Sequence, residues 1–268
     1  METLQDTLEK NQKQREFYNK KKKSIPTRIW SFIREKSLKN IRKELGILEE
    51  SYALHQKWMG DLSGRKILDL GCYSGNRLSI HMASNCEEYI GLDLSDVAID
   101  KLNEKLKDIP QAKAVAQDFF SDEFAEGDFD LIYAYGVLHH FKNVDNLIHR
   151  LNEKLAPGGK IISYDPLETS YPIWFIRKLY RPFQTDAAWE WPFTRKTIKK
   201  FDAAFNILEK RGVLGKSKWY FVYSMLPLSR EKKLNWGRKA HKKDWYRSAR
   251  SNQYLYRCMQ LNMFMEKK

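Results

Sequence analysis

An apolar run, Lys66-Ile67-Leu68-Asp69-Leu70, passes directly into Gly71-Cys72-Tyr73-Ser74-Gly75-Asn76. Glycine lets a backbone turn sharply and approach a ligand closely. A helix starting after such a turn offers free N–H groups to a polar partner. The acid Asp69 at the head of the turn suits a cationic ligand better than a pyrophosphate. A second acid, Asp93, ends a later apolar run, where a carboxylate can accept both hydroxyl hydrogens of a ribose. A third, Asp118, precedes Phe119, a carboxylate and a ring suited to an adenine. Farther along stand His139, His140 and Asp165, residue types able to take a proton from an acceptor. Each has a plainer role as well: the histidines as packing residues, and Asp165, before Pro166, as a turn residue.

These residues need a scaffold, and the chain supplies an alternating one. Short apolar strands are expected at Lys66–Leu70, Glu88–Leu92, Ala112–Gln117, Phe129–Tyr133 and Lys160–Tyr164. Helical segments from about Asn76, from Ser95 to Leu106, and before Ala156-Pro157-Gly158-Gly159 separate them. Such alternation builds an α/β fold: a Rossmann-like, mostly parallel sheet with helices on both faces. The expected organisation is an N-terminal basic helical extension (1–59), a core (60–167), a lid and helix after strand five (168–215), and closing strands with a basic insert (216–268). Within the last two parts, a helix is read over Thr194–Arg211, a strand over Ser217–Met225, and a closing strand over Tyr254–Met265.

Five stretches in this order resemble the class I methyltransferases that use S-adenosylmethionine (SAM): ILDLGCYSGN (67–76), YIGLDLS (89–95), AQDFF (116–120), FDLIYAYGVLHHF (129–141) and LAPGGKIISYDP (155–166). The resemblance implies SAM as cofactor. Asp69, Gly71 and Gly75 would border its methionine end, where a carboxylate faces the positive sulfonium and ammonium groups. Asp93 would hold the ribose and Leu94 the adenine face. Asp118 would bind the adenine amine beside Phe119, and Tyr135 and Gly136 would line the floor near the sulfonium. Tyr73 stands where the family loop usually has its middle glycine, which narrows the loop or lays a phenol ring over the cofactor. Some relatives carry acids near the end of strand four and bind a divalent metal. Gly136 and His139 stand there instead, so no catalytic metal is expected.

Methyl transfer is an in-line displacement in which the enzyme chiefly aligns donor and acceptor. The expected reaction is methylation of an oxygen on a small-molecule, saccharide or lipid-like acceptor, with His139, His140 or Asp165 as base. RNA methylation is the alternative. It is disfavoured because Tyr135-Gly136-Val137-Leu138 occupies the place of the Asn/Asp-Pro-Pro-aromatic motif of amino-methylating nucleic-acid enzymes. A SAM-binding regulatory protein without catalysis is a third reading. The aromatics Trp174, Phe175, Trp189, Trp191 and Phe193, with Asp186 and Glu190, are candidate acceptor contacts or lid packing.

The net charge of +14 is unevenly spread. The core is acidic, and the excess lies in the first sixty residues and after Ser229. Lys20–Lys23, with Ile29, Trp30, Phe32 and Ile33 behind them, and the basic residues of 229–257 with Trp236, Trp245 and Tyr246, suit an anionic membrane surface holding an amphiphilic acceptor. RNA would attract the same lysines, and a solvated face is the plain reading. Three unpaired cysteines and an N-terminus without an apolar core lead to the expectation of a cytoplasmic protein, peripheral to a membrane if the basic flanks bind one.

Overall fold

The computed structural model describes residues 9, 11, 12, 14–16, 19, 40–183 and 189–268. The expectations for Lys20–Lys23, Ile29, Trp30, Phe32, Ile33 and Asp186 lie outside the described residues. Helices α1 (Asn40–Glu44) and α2 (Ile47–Met59) precede the sheet. Then follow β1 (Lys66–Leu70), α3 (Arg77–Asn85), β2 (Glu88–Asp93), α4 (Asp96–Leu106), β3 (Ala112–Ala116), β4 (Phe129–Tyr135), α5 (Val144–Lys154) and β5 (Leu155–Pro166). The chain continues through α6 (Tyr171–Tyr180), α7 (Arg195–Ala204), β6 (Phe205–Val213), α8 (Tyr220–Tyr223), α9 (Arg230–Arg250), α10 (Asn252–Leu255) and β7 (Gln260–Lys267).

The seven strands lie in the order β3-β2-β1-β4-β5-β7-β6. The first five are parallel, and β7 runs antiparallel between β5 and β6. Strands β1, β2 and β4 are buried along most of their length, as expected when helices cover both faces. Ile67 and Leu68 illustrate the division: the first packs with Trp58, Leu78 and Leu131, the second with Ile90, Ile132 and Ile161. Helix starts follow the local chemistry. Asn76 caps α3 by accepting from Leu78 and Ser79 N–H, and Ser95 caps α4 by accepting from Ala98 N–H.

The second half of the chain differs from expectation in several places, among them the closing strand, which starts at Gln260 rather than Tyr254. Thr194 does cap a helix, but α7 stops at Ala204, and Phe205–Val213 is the edge strand β6. The segment Ser217–Met225 is not a strand; it forms a short helical turn and α8. The basic stretch is a 21-residue helix, α9, joining β6 to β7. Its inward stripe is Gly237, Ala240, His241, Asp244, Trp245 and Ser248, at helical spacing. Gly237 is required there, because an added Cβ would lie 2.6 Å from Leu45 and 2.7 Å from Tyr220. Trp245 is packed inside with Ile41, Tyr164 and Val213, so it cannot meet a membrane; Tyr246 remains exposed.

Asp244 fastens α9 to the turn after β6. It is fully buried and accepts from the N–H groups of Gly215, Lys216 and Ser217, from Ser217 Oγ and from the Tyr254 hydroxyl, at 2.7–3.0 Å. Removing the carboxylate leaves several buried donors without partners. Asp244→Ala should therefore lower unfolding stability by about 3 kcal/mol or more. Urea denaturation checks this, and a loss under about 1 kcal/mol would show that the turn finds other acceptors.

Candidate active site

The chain runs from β1 outward to β2 and β3, then returns to β4 on the other side of β1. The loops after β1 and β4 therefore diverge, and a crevice opens at the carboxyl ends of the strands. A cavity lies there, walled by Gly71, Tyr73, Asp93, Leu94, Asp118, Phe119, Tyr135, Gly136, Val137, His140 and Phe141. Its back wall is made tight by glycine. Gly71 has φ +69°, and an added Cβ would lie 2.5 Å from a Val137 methyl.

Asp93 joins the two loops on its side. Its Oδ2 accepts from Tyr73 N–H at 3.0 Å and its Oδ1 from Ser95 N–H at 2.9 Å. Burial raises its carboxyl above the ordinary range, against the pull of those N–H groups. Tyr73 takes φ +48°, the left-handed conformation a glycine would normally occupy, and its half-exposed ring joins the cavity wall. Asp118 is held by Phe120 N–H at 2.9 Å and is likewise raised by burial.

Two residues expected at the cofactor, Asp69 and Gly75, are not among the residues that line the cavity. Asp69 is about 1% exposed and accepts from the Tyr89 hydroxyl at 2.7 Å, and burial pushes it up to about 6. Through Tyr89 it ties β1 to β2. Gly75 forms the turn into α3, packed on Leu102.

The polar residues that sequence spacing did not single out come from the N-terminal extension. Asn11 and Gln14 are buried on the cavity wall. The Asn11 amide donates to Asp118 Oδ2 at 2.7 Å. Arg15 pairs with Asp96, and Asn19 accepts from Ser95 Oγ at 2.7 Å. Nothing in their spacing marks them, because single polar residues on a polar helix read as solvated.

The candidate bases meet behind Gly136. Asp165 is fully buried, and its Oδ1 lies 2.9 Å from His139 Nδ1 and accepts from His139 N–H at 3.1 Å. Burial pushes Asp165 up to about 7, partly offset by those N–H donors and by the nearby His140. The rings of His139 and His140 are 4.2 Å apart. His140 reaches the cavity wall, and its Nδ1 donates to the Trp189 carbonyl at 2.7 Å. Trp191 N–H donates to the His139 carbonyl at 2.7 Å, so the segment after α6 is pinned on this turn.

A family profile described as a methyltransferase domain matches residues 52–209, well over half of the chain. The chain belongs to the SAM-dependent methyltransferases of the class I fold. An uncharacterised methyltransferase of Schizosaccharomyces pombe is 30% identical over 112 residues, 38% of this chain and 39% of that protein. An uncharacterised methyltransferase of Synechocystis is 26% identical over 158 residues, 58% of this chain and 73% of that protein. The chain thus spans well under half the length of the first of these curated relatives. Among solved structures, the N-methyltransferase NodS of Bradyrhizobium japonicum, in complex with S-adenosylhomocysteine (SAH), shares the fold. Its TM-score is 0.52 at 15% identity, over 85% of this chain and 97% of NodS.

The cavity suits SAM on its own chemistry. A half-buried carboxylate anchored at the end of β2, a second after β3, and apolar walls between them suit a ribose and an adenine. Asp93→Ala removes two charge-assisted acceptors and should weaken SAH binding by about 2–4 kcal/mol. Calorimetry giving equal affinity for the variant and the parent would remove Asp93 from the ribose site.

Proposed function

We propose that this enzyme methylates an oxygen of a small-molecule, saccharide or lipid-like acceptor, with His140 as the base. SAM supplies the electrophilic methyl group. Asp93 and Asp118 hold the nucleoside, with Leu94 and Phe119 against the adenine. Gly71, Tyr73, Tyr135 and Gly136 shape the space around the methionine end. The observation that carries the base is the position of the His140 ring on the cavity wall with Nδ1 donating to a carbonyl. A carbonyl only accepts, so Nδ1 carries the proton and the lone pair of the neutral ring is on Nε2. A hydroxyl acceptor presented there loses its proton to Nε2 as the methyl carbon bonds to oxygen. His139, clamped by Asp165, packs against that ring and acts as a positioning residue.

His140→Ala should lower kcat about 10²-fold or more while leaving SAH affinity unchanged. The base works deprotonated, so kcat/KM should rise with pH in the parent. Asp165, raised to about 7, adds to the same limb through His139. The limb should flatten in His140→Ala. Full turnover in that variant would rule out the base.

The acceptor's setting follows from the surface at this end of the sheet. Tyr171, Trp174, Phe175 and Leu179 of α6 are exposed, as are Trp219, Phe221, Val222, Met225 and Leu226 around α8. Helix α9 presents Lys232, Arg238, Lys239, Lys242, Lys243, Arg247 and Arg250 outward. Exposed apolar side chains beside a basic face suit an amphiphilic acceptor on an anionic lipid surface. Among the described residues no helix is long and apolar enough to cross a membrane. Vesicles containing phosphatidylserine should bind the protein with an affinity that falls as salt rises. RNA binding as strong, at matched salt, would transfer support to the RNA reading.

A further inference from the structure

Arg42 sits where α1 and α2 cross the outer end of the strands. Its neighbour Ile41 packs with Leu45, Ile47, Tyr164 and Val213, and Tyr135 and Leu54 flank this cluster. The Nε atom of Arg42 is buried and has no hydrogen-bond partner. The acids nearest in sequence are engaged elsewhere. Glu44 accepts from the Tyr220 hydroxyl at 2.9 Å, Glu49 pairs with Arg77 at 3.0 Å, and Glu50 lies 2.7 Å from His241. Among the described residues no carboxylate is paired with Arg42. An arginine fork set partly out of water without a counter-charge is a costly arrangement, and it matches the planar oxygens of an anion.

Tyr135 and Tyr164 lie within reach of the Arg42 charge. The Tyr135 ring stacks on Tyr164 at 4.8 Å and lies 5.7 Å from Tyr52. The Arg42 charge acts on both Tyr135 and Tyr164, yet burial outweighs it and raises both phenols, so they remain neutral O–H groups. Tyr164 uses its hydroxyl on Gln260. Tyr135 also forms part of the cavity wall beside Gly136 and His140. It therefore stands between Arg42 and the place where methyl transfer is proposed.

We propose that Arg42, with the hydroxyls of Tyr52 and Tyr135, forms a subsite for a compact oxyanion, a carboxylate or a phosphate, carried by the methyl acceptor. The proposal rests on the reading that the neighbouring cavity holds SAM with its sulfonium at Tyr135 and Gly136. The oxyanion fixes one end of the acceptor, and the hydroxyl to be methylated then faces His140. The basic outer face of α9 draws the same class of molecule toward this end of the sheet.

The test is a titration of the SAH-loaded protein with inorganic phosphate and, separately, with acetate, followed by the arginine Nε–H resonances. Arg42→Lys and Arg42→Met each delete one resonance and so assign it, and the first keeps the charge if the second folds poorly. The Arg42 signal should shift saturably with one of the two anions, and the responding anion distinguishes phosphate from carboxylate. Binding of that anion should be about tenfold weaker in Arg42→Met, with SAH affinity unchanged. If the Arg42 signal moves no more than those of exposed arginines while SAH binds normally, the subsite is wrong and the cofactor reading stands. If SAH binds neither the parent nor the variants, the cofactor reading fails and the subsite falls with it.

Discussion

Every part of the site depends on one reversal in the sheet. After β1 the chain moves outward through β2 and β3, then returns to β4 on the opposite side. Two neighbouring strands thus send their loops to opposite faces, and a crevice opens at their ends. The gap is held open by specific contacts. Gly71 and Cys72 N–H both donate to the Leu92 carbonyl, Asp93 holds the Tyr73 and Ser95 N–H groups, and Gly136 N–H donates to the Tyr164 carbonyl. The bare Cα of Gly71 lets the β4 loop approach through Val137. Gly71, Asp93, Asp118 and Tyr135 come from four separate strand ends, and the reversal is what brings them around one cavity.

The first half of this fold was legible because its signals are local. Strands covered on both faces must be apolar runs, and Asn76 and Ser95 announce the helices that follow. The second half hid its signals. Phe205–Val213 is an edge strand, and its half-buried run Glu209, Lys210 and Arg211 gives it the composition of a helix end. Helix α9 buries Gly237, Ala240, Asp244 and Ser248 instead of leucines, so no apolar period appears. Within the site, the family pattern brought Asp93, Asp118, Tyr135 and Gly136 to attention, and all four line the cavity. The same pattern could not say that Asp69 faces Tyr89. Nor could it find Asn11, Gln14 or Arg42, whose significance depends on long-range placement.

Tyr52, His55, Tyr133, Tyr135 and Tyr164 form a connected aromatic wall between α2 and the strand ends. His55 is its buried hinge, with Nε2 2.8 Å from Asn262 Oδ1 and Nδ1 3.3 Å from the Tyr133 hydroxyl. Burial drops His55 to about 4, so it is neutral at pH 7 and serves the wall without adding charge.

The most direct test of this account is hydrogen–deuterium exchange with and without SAH. The crevice reading expects slowed exchange in the segments following β1, β2, β3 and β4, at residues 71–76, 93–96, 118–120 and 136–141, with the distal edge β6 unchanged. The segment 11–19 should also respond, because Asn11 and Gln14 form part of the same wall. Protection confined to another face, or no protection at saturating SAH, would contradict it.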